Sequence, residues 1–98
     1  MKKTVFSNKM IHLSSQVRHR SVGEEGVLVH LENGRVIVVN AVGLFIIQQL
    51  TTPMAYRTLA EKIAGEFAVS VSQAGHDLEQ YLASLHEEQI IETTQTTN

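Results

Sequence analysis

Five histidines, His12, His19, His30, His76 and His86, are the side chains in this sequence best suited to ligate a metal or move a proton. A helical metal pair needs its ligands three or four residues apart, so that both project from one face. His76 and His86 are ten apart and the other three lie on separate segments, so all five are read as solvated surface side chains. Nucleophilic chemistry fares no better. There is no Gly-x-Ser-x-Gly turn, and the serines occupy polar arms or helix caps. Cysteine is absent, which excludes disulfides, thiolate catalysis and zinc-finger ligation. The six glycines form no phosphate loop. The chain is therefore read as a non-enzyme with no catalytic residue, no metal and no cofactor.

The polar chemistry that remains is that of the backbone. Val27 to Asn40 holds two β-rich runs that meet at Asn33-Gly34, a dipeptide that tolerates the positive φ angles of a two-residue hairpin turn. That turn would place Val27, Val29 and Leu31 on one face with Val36 and Val38, a continuous apolar surface. Leu28, His30, Glu32, Arg35, Ile37 and Val39 would share the other face, with Glu32 opposite Arg35 as an exposed ion pair. The second run, Arg35 to Val39, is apolar and β-branched, and no later strand is there to cover it. An open edge of that kind is an aggregation hazard unless it is short, protected or meant to receive another strand. It is read as a docking edge.

The flanking elements follow from periodicity and caps. Val17 to Val22 alternates as a short exposed strand does, and Gly23 to Gly26 turns the chain. Asn40 stands where a helix N-cap is needed, before a helix over Ala41 to Leu50 that is apolar almost all round and that Thr51-Thr52-Pro53 stops. Thr58-Leu-Ala-Glu61 and Ser70-Val-Ser-Gln73 read as capping boxes. The first opens a helix striped by Leu59, Ala60, Ile63, Ala64 and Phe67, and the second a helix striped by Val71, Ala74, Leu78, Leu82 and Leu85. Ile90-Ile91 closes the core. The expected fold is α+β and winged-helix-like, a three-stranded antiparallel sheet followed by three helices. Residues 1–16, polar and mixed with Val5-Phe6 and Met10-Ile11 as small apolar islands, are read as an N-terminal arm, flexible or an added strand, 17–92 as the domain and 93–98 as a disordered tail.

At 98 residues with 43% hydrophobic content, the chain suits one small domain. No window approaches the roughly 18 apolar residues of a membrane span. Met1-Lys2-Lys3 is followed by Ser7, Asn8, Lys9 and His12 rather than by a signal-peptide core, which points to the cytoplasm. Net charge is −2, unevenly spread. Met1 to Gly23 carries five basic residues and no acid, whereas Glu61 onward carries seven acids against Lys62 alone. A winged helix that read DNA would need lysine or arginine on its third helix. Val71 to Ile91 has neither and holds four acids, so nucleic acid is not the expected partner.

Peptide binding fits better. An extended peptide would add to Arg35, Val36, Ile37, Val38 and Val39 as a fourth strand, and its side chains would enter a groove beside the third helix. Ala74, Asp77, Leu78, Tyr81 and Leu85 are the expected lining. Tyr81 either faces the groove or caps the core edge. Gly75 either permits close approach by a neighbour or is simply tolerated. The acids of this helix favour a peptide with some basic residues. The same edge would also pair with a second copy of the chain.

These residues resemble a known family. Gly26 to Gly34, Val39-Asn40, Leu50, Thr58 to Ala64 and Asp77 to Leu85 are together similar to the PqqD-like peptide chaperones of ribosomal peptide modification pathways. The resemblance spans about Val17 to Glu92. It implies a non-catalytic domain on which the leader segment of a precursor peptide pairs with the third strand and lies against the third helix, Val71 to Glu88. A modifying enzyme, often a radical S-adenosylmethionine maturase, then acts on the presented peptide. Members of the pyrroloquinoline quinone pathway carry a Cys-Asp-Gly turn and an Arg-Gly-Trp-like ending. Here those places hold Thr51-Thr52-Pro53 and Glu88-Gln89-Ile90. The pathway therefore stays open between that quinone and a lasso or other modified peptide.

Overall fold

The structure, a computed structural model, describes residues 5–95. Its elements run β1 (Lys9–Leu13), β2 (Val17–Val22), β3 (Glu25–His30), β4 (Val36–Val39), α1 (Ala41–Gln49), β5 (Met54–Ala55), α2 (Tyr56–Phe67), α3 (Val71–Glu87) and β6 (Ile91–Gln95). Two antiparallel sheets result, one ordered β2-β3-β4 and one ordered β5-β1-β6. The class is the expected α+β with three helices. The second sheet is a correction to the single sheet expected.

That second sheet also revises the ends of the chain. The apolar islands of the expected arm reach the core: Ile11 is fully buried at the centre of β1 and Phe6 is buried against it. Burial of two large apolar side chains supplies about 1.5–3 kcal/mol each toward ordering the segment, and pairing of β1 with β5 and β6 adds to it. Thr93 to Gln95 of the expected tail pair with Lys9 to Ile11 in β6. Residues 1–4 and 96–98 of those two segments lie outside the described residues.

The hairpin forms with a four-residue loop rather than a two-residue turn. The His30 amide donates to the Arg35 carbonyl at 2.9 Å, and β3 pairs with β4 in the register Val27 to Val38 and Val29 to Val36. Gly34 takes the left-handed φ of 73° that the loop requires, and Asn33 Oδ1 accepts from the Arg35 N–H at 2.9 Å. The pairing is two residues away from the one expected. A slip of two keeps each strand's faces intact. The faces are nevertheless inverted relative to the core. Leu28, His30 and Val39 are buried, whereas Val36 and Val38 are 63% and 61% exposed. α1 packs on that side of the sheet, and Gly26 permits the close approach: a Cβ there would stand 2.9 Å from Leu44 Cδ1 and 2.9 Å from Val39 Cγ2.

Caps behave as the residue types dictate in two of three helices. Asn40 Oδ1 accepts from the Gly43 N–H at 2.9 Å, and Ser70 Oγ from the Gln73 N–H at 3.1 Å. The Thr58 box is not used: the N-cap falls three residues earlier, at Ala55, which has no capping side chain, and α2 begins at Tyr56. Tyr56 explains the early start, because its hydroxyl donates to the Gly75 carbonyl at 2.5 Å and ties α2 to α3. Gly75 is thus the point of close approach, where a Cβ would press the Tyr56 hydroxyl at 3.2 Å.

Candidate functional site: a strand edge leading into an apolar cavity

The backbone of β4 supplies the first part of the site. Because Arg35 bonds inward to His30, alternation turns the amides of Ile37 and Val39 toward β3 and those of Val36 and Val38 outward. β4 is the terminal strand of its sheet. Two residues with one donor and one acceptor each leave four unpaired backbone groups on that edge.

The chain then passes from Val39 into a cavity of about 240 Å³ formed where α1, α2 and α3 meet. Its walls are Asn40, Val42, Gly43, Ile46, Ile63, Phe67, Val69, Ala74, Asp77, Leu78 and Tyr81, so the surface is almost wholly apolar. Gly43 shapes the rim. A Cβ at this position would overlap the Tyr81 hydroxyl and stand 2.8 Å from Val39 Cβ, so only glycine lets β4, α1 and Tyr81 converge. Tyr81 is half-buried, and loss of solvent holds its phenol above the ordinary 10.0. Tyr56 is raised as well, first by burial and then by the Glu79 carboxylate nearby.

Charge at the site is sparse. Asp77 is the acid of α3 that reaches the cavity, held by Gln73 Nε2 at 3.0 Å from Oδ2. Arg35 does not pair with Glu32, as the expected turn would require. The longer loop carries it to α3, where Nη1 lies 2.8 Å from Glu88 Oε1. That contact is charge pairing without aligned hydrogen-bond geometry. Beside it, His30 corrects the reading of all histidines as solvated, being 2% exposed. Its Nδ1 accepts from the Glu32 N–H at 3.2 Å, which leaves the proton on Nε2, donated to the Gln89 carbonyl at 3.1 Å. His30 at the end of β3 and Arg35 just before β4 together fasten the hairpin loop to the end of α3.

Of the expected site residues, Val36 and Val38 lie on the open edge, Ile37 is half-buried against the core and Arg35 is paired to α3. Ala74, Asp77, Leu78 and Tyr81 do share one cavity. Val39 and Leu85 are core residues that support the site from beneath. Val42, Gly43, Ile46, Ile63 and Phe67 were not anticipated as lining. For Val42, Gly43 and Ile46 the signal was the nearly all-round apolar character of Ala41 to Leu50, which needs partners on more than one side; Ile63 and Phe67 belong to the apolar stripe of the second helix. A second, polar cavity of about 620 Å³ lies between β6 and the β3–β4 loop, with His30, His86, Glu32 and Glu92 on its walls. Among the described residues no group of three histidine, aspartate or glutamate side chains is placed to hold a metal ion. No helix among them is long and apolar enough to cross a membrane.

An open sheet edge over a three-helix layer, with an apolar cavity at its end, defines a binding module. The chain belongs to the PqqD family: the family described as coenzyme PQQ synthesis protein D matches residues 25–91. Members of this family are non-catalytic recognition elements of ribosomally made, modified peptides. A chain solved as TbiB1 in complex with the TbiA(beta) leader peptide superposes with a TM-score of 0.76. It is 26% identical, over 83% of this chain and 94% of that one. The PqqD truncation of Methylobacterium extorquens PqqCD, a stand-alone recognition element solved by NMR, superposes at 0.73. It is 18% identical, over 91% of this chain and 96% of that one. No curated protein matches the sequence. The matched stretch begins at β3 and ends at the first residue of β6, so β1 and β2 lie outside it.

Proposed function

We propose that this protein is a cytoplasmic adaptor that binds the leader segment of a ribosomally made precursor peptide and presents it to a modifying enzyme. The leader adds to β4 as a fourth strand and places one large apolar side chain in the cavity between the helices. The observation that carries this reading is the continuity of the two features, since the outward groups of Val36 and Val38 lead directly to Asn40 and Gly43 on the cavity wall. The similar TbiB1, solved with a leader peptide, supports it.

The energetics require both halves of the site. Four backbone hydrogen bonds at about 1 kcal/mol net each give about 4 kcal/mol, from which ordering the peptide must be subtracted. Burying one large apolar side chain adds about 1.5–3 kcal/mol. The two halves together give about 5.5–7 kcal/mol before that subtraction, still short of the roughly 8 kcal/mol of micromolar binding, so the leader must also make further contacts along the groove. The preference for basic leaders narrows to a single place, near Asp77, because Glu88 already faces Arg35.

Val38→Pro tests the strand addition. Its N–H points away from β3, so proline there leaves the fold's own ladder intact. With a fluorescent candidate leader peptide that binds the parent, anisotropy should show at least a tenfold loss of affinity. A folded variant that binds as the parent does would refute strand addition. A second copy of β4 would satisfy the same four groups, so any dimer of this kind should dissociate as leader is added.

A further inference from the structure

The inverted faces of the hairpin leave an unusual surface outside the sheet. Two cross-strand rows lie side by side there, Arg18–Val29–Val36 and Arg20–Val27–Val38. Val36 and Val38 are more than 60% exposed, and Val27 and Val29 are half-buried with no layer above them. Both arginines are exposed, and neither has a carboxylate partner among the described residues. Arg18 Nη1 donates only to the backbone carbonyls of Ser15 and Val17, at 2.9 and 3.3 Å. A valine patch of this kind on a sheet edge is a hazard for a free monomer and a common mark of an interface.

We propose that this outer face is the surface on which the modifying enzyme docks, through an apolar patch bordered by carboxylates that reach Arg18 and Arg20. The inference rests on the adaptor reading above. Charge complementarity selects the partner's chemistry, because two uncompensated guanidinium groups project on one side of the valines, two residues apart along β2. Geometry links the surface to the peptide. A strand added to β4 contributes alternate side chains to the same rows, so each becomes Arg–Val–Val–leader. A partner covering the rows touches adaptor and leader together, and the inward side chains of the leader remain in the groove.

Two variants test it, both away from the β4 edge and the cavity. Arg18→Glu with Arg20→Glu reverses the charge. Val27→Thr with Val29→Thr keeps the β-branched shape and removes the apolar patch. Leader affinity, read by anisotropy, should stay within twofold of the parent for both. Affinity for a candidate modifying enzyme that acts on that leader, read by sedimentation velocity with and without leader, should fall at least tenfold for both. The parent's enzyme affinity should also weaken with salt, and the charge-reversed variant should lose that dependence. Enzyme binding unchanged in both variants overturns the proposal, as does its loss only in parallel with leader affinity. A parent that dimerises through these valines, with enzyme binding untouched by their loss, assigns the face to a second copy and also overturns it. Failure of the parent to bind leader at all would instead sink the adaptor reading, which the anisotropy arm reports separately.

Discussion

Gly43→Ala is the substitution in which helix propensity and packing give opposite answers. Gly43 lies inside α1, where alanine is favoured over glycine by about 1 kcal/mol. Packing opposes the change, since the new methyl would overlap the Tyr81 hydroxyl and crowd Val39 Cβ at 2.8 Å. Val39 is fixed by its strand, so Tyr81 must swing out of its half-buried position. A well-packed tyrosine buries roughly 150–250 Å². Giving up half of that at about 25 cal/mol per Å² costs about 2–3 kcal/mol. The net expectation is a destabilisation of about 1–2 kcal/mol, or a melting temperature lower by about 5–15 °C for a chain of this size. Gly65→Ala in α2 is the control, because a Cβ there meets nothing within 4 Å. It should stabilise by up to about 1 kcal/mol. Urea unfolding of the three proteins, followed by far-UV circular dichroism, measures all of this. A Gly43→Ala protein as stable as Gly65→Ala would refute the packing argument. If Tyr81 is displaced as expected, leader affinity should also fall, because the cavity loses its rim.

Other perturbations follow from the same geometry. His30→Leu leaves the Glu32 N–H and the Gln89 carbonyl without their partners and should cost about 1–3 kcal/mol by urea unfolding. The Arg35 and Glu88 side chains are 58% and 32% exposed, so a double-mutant cycle with alanines should return a coupling under about 1 kcal/mol. A coupling of several kcal/mol would mean that the pair, rather than His30, fastens the hairpin loop to α3. Both phenols titrate above 10.0 in the folded protein, so absorbance near 295 nm should rise later in alkali than for free tyrosine. The stabilising contribution of these raised phenols is complete below the unfolded value and is lost as pH climbs through the folded values. Ile37→Pro should unfold the protein where Val38→Pro does not, because the Ile37 N–H bonds to Leu28 across the ladder.

The three helices, their Asn40 and Ser70 caps, and the open run Arg35 to Val39 were all legible in the sequence. Caps and stripes are local: each depends on residues within one or two turns, and those are visible as spacing. The misreadings share one physical origin. Which face of the hairpin is buried depends on what packs against it, here α1, whose Leu44 comes close at Gly26 from a different element. His30 was taken for a surface residue because its partners, the Glu32 amide and the Gln89 carbonyl, include one that is far away in the chain. Phe6 and Ile11 read as islands in a polar arm until α3 and the second sheet offered them a core. The sequence by itself determined the three helices, the strands β2 to β4 and the unpaired edge, but not the second sheet. Only the tertiary structure decided that Val36 and Val38 alone face outward and that three helices enclose a cavity where β4 ends. It also turned a valine face outward. Each of these is set by long-range contact, which no local pattern encodes.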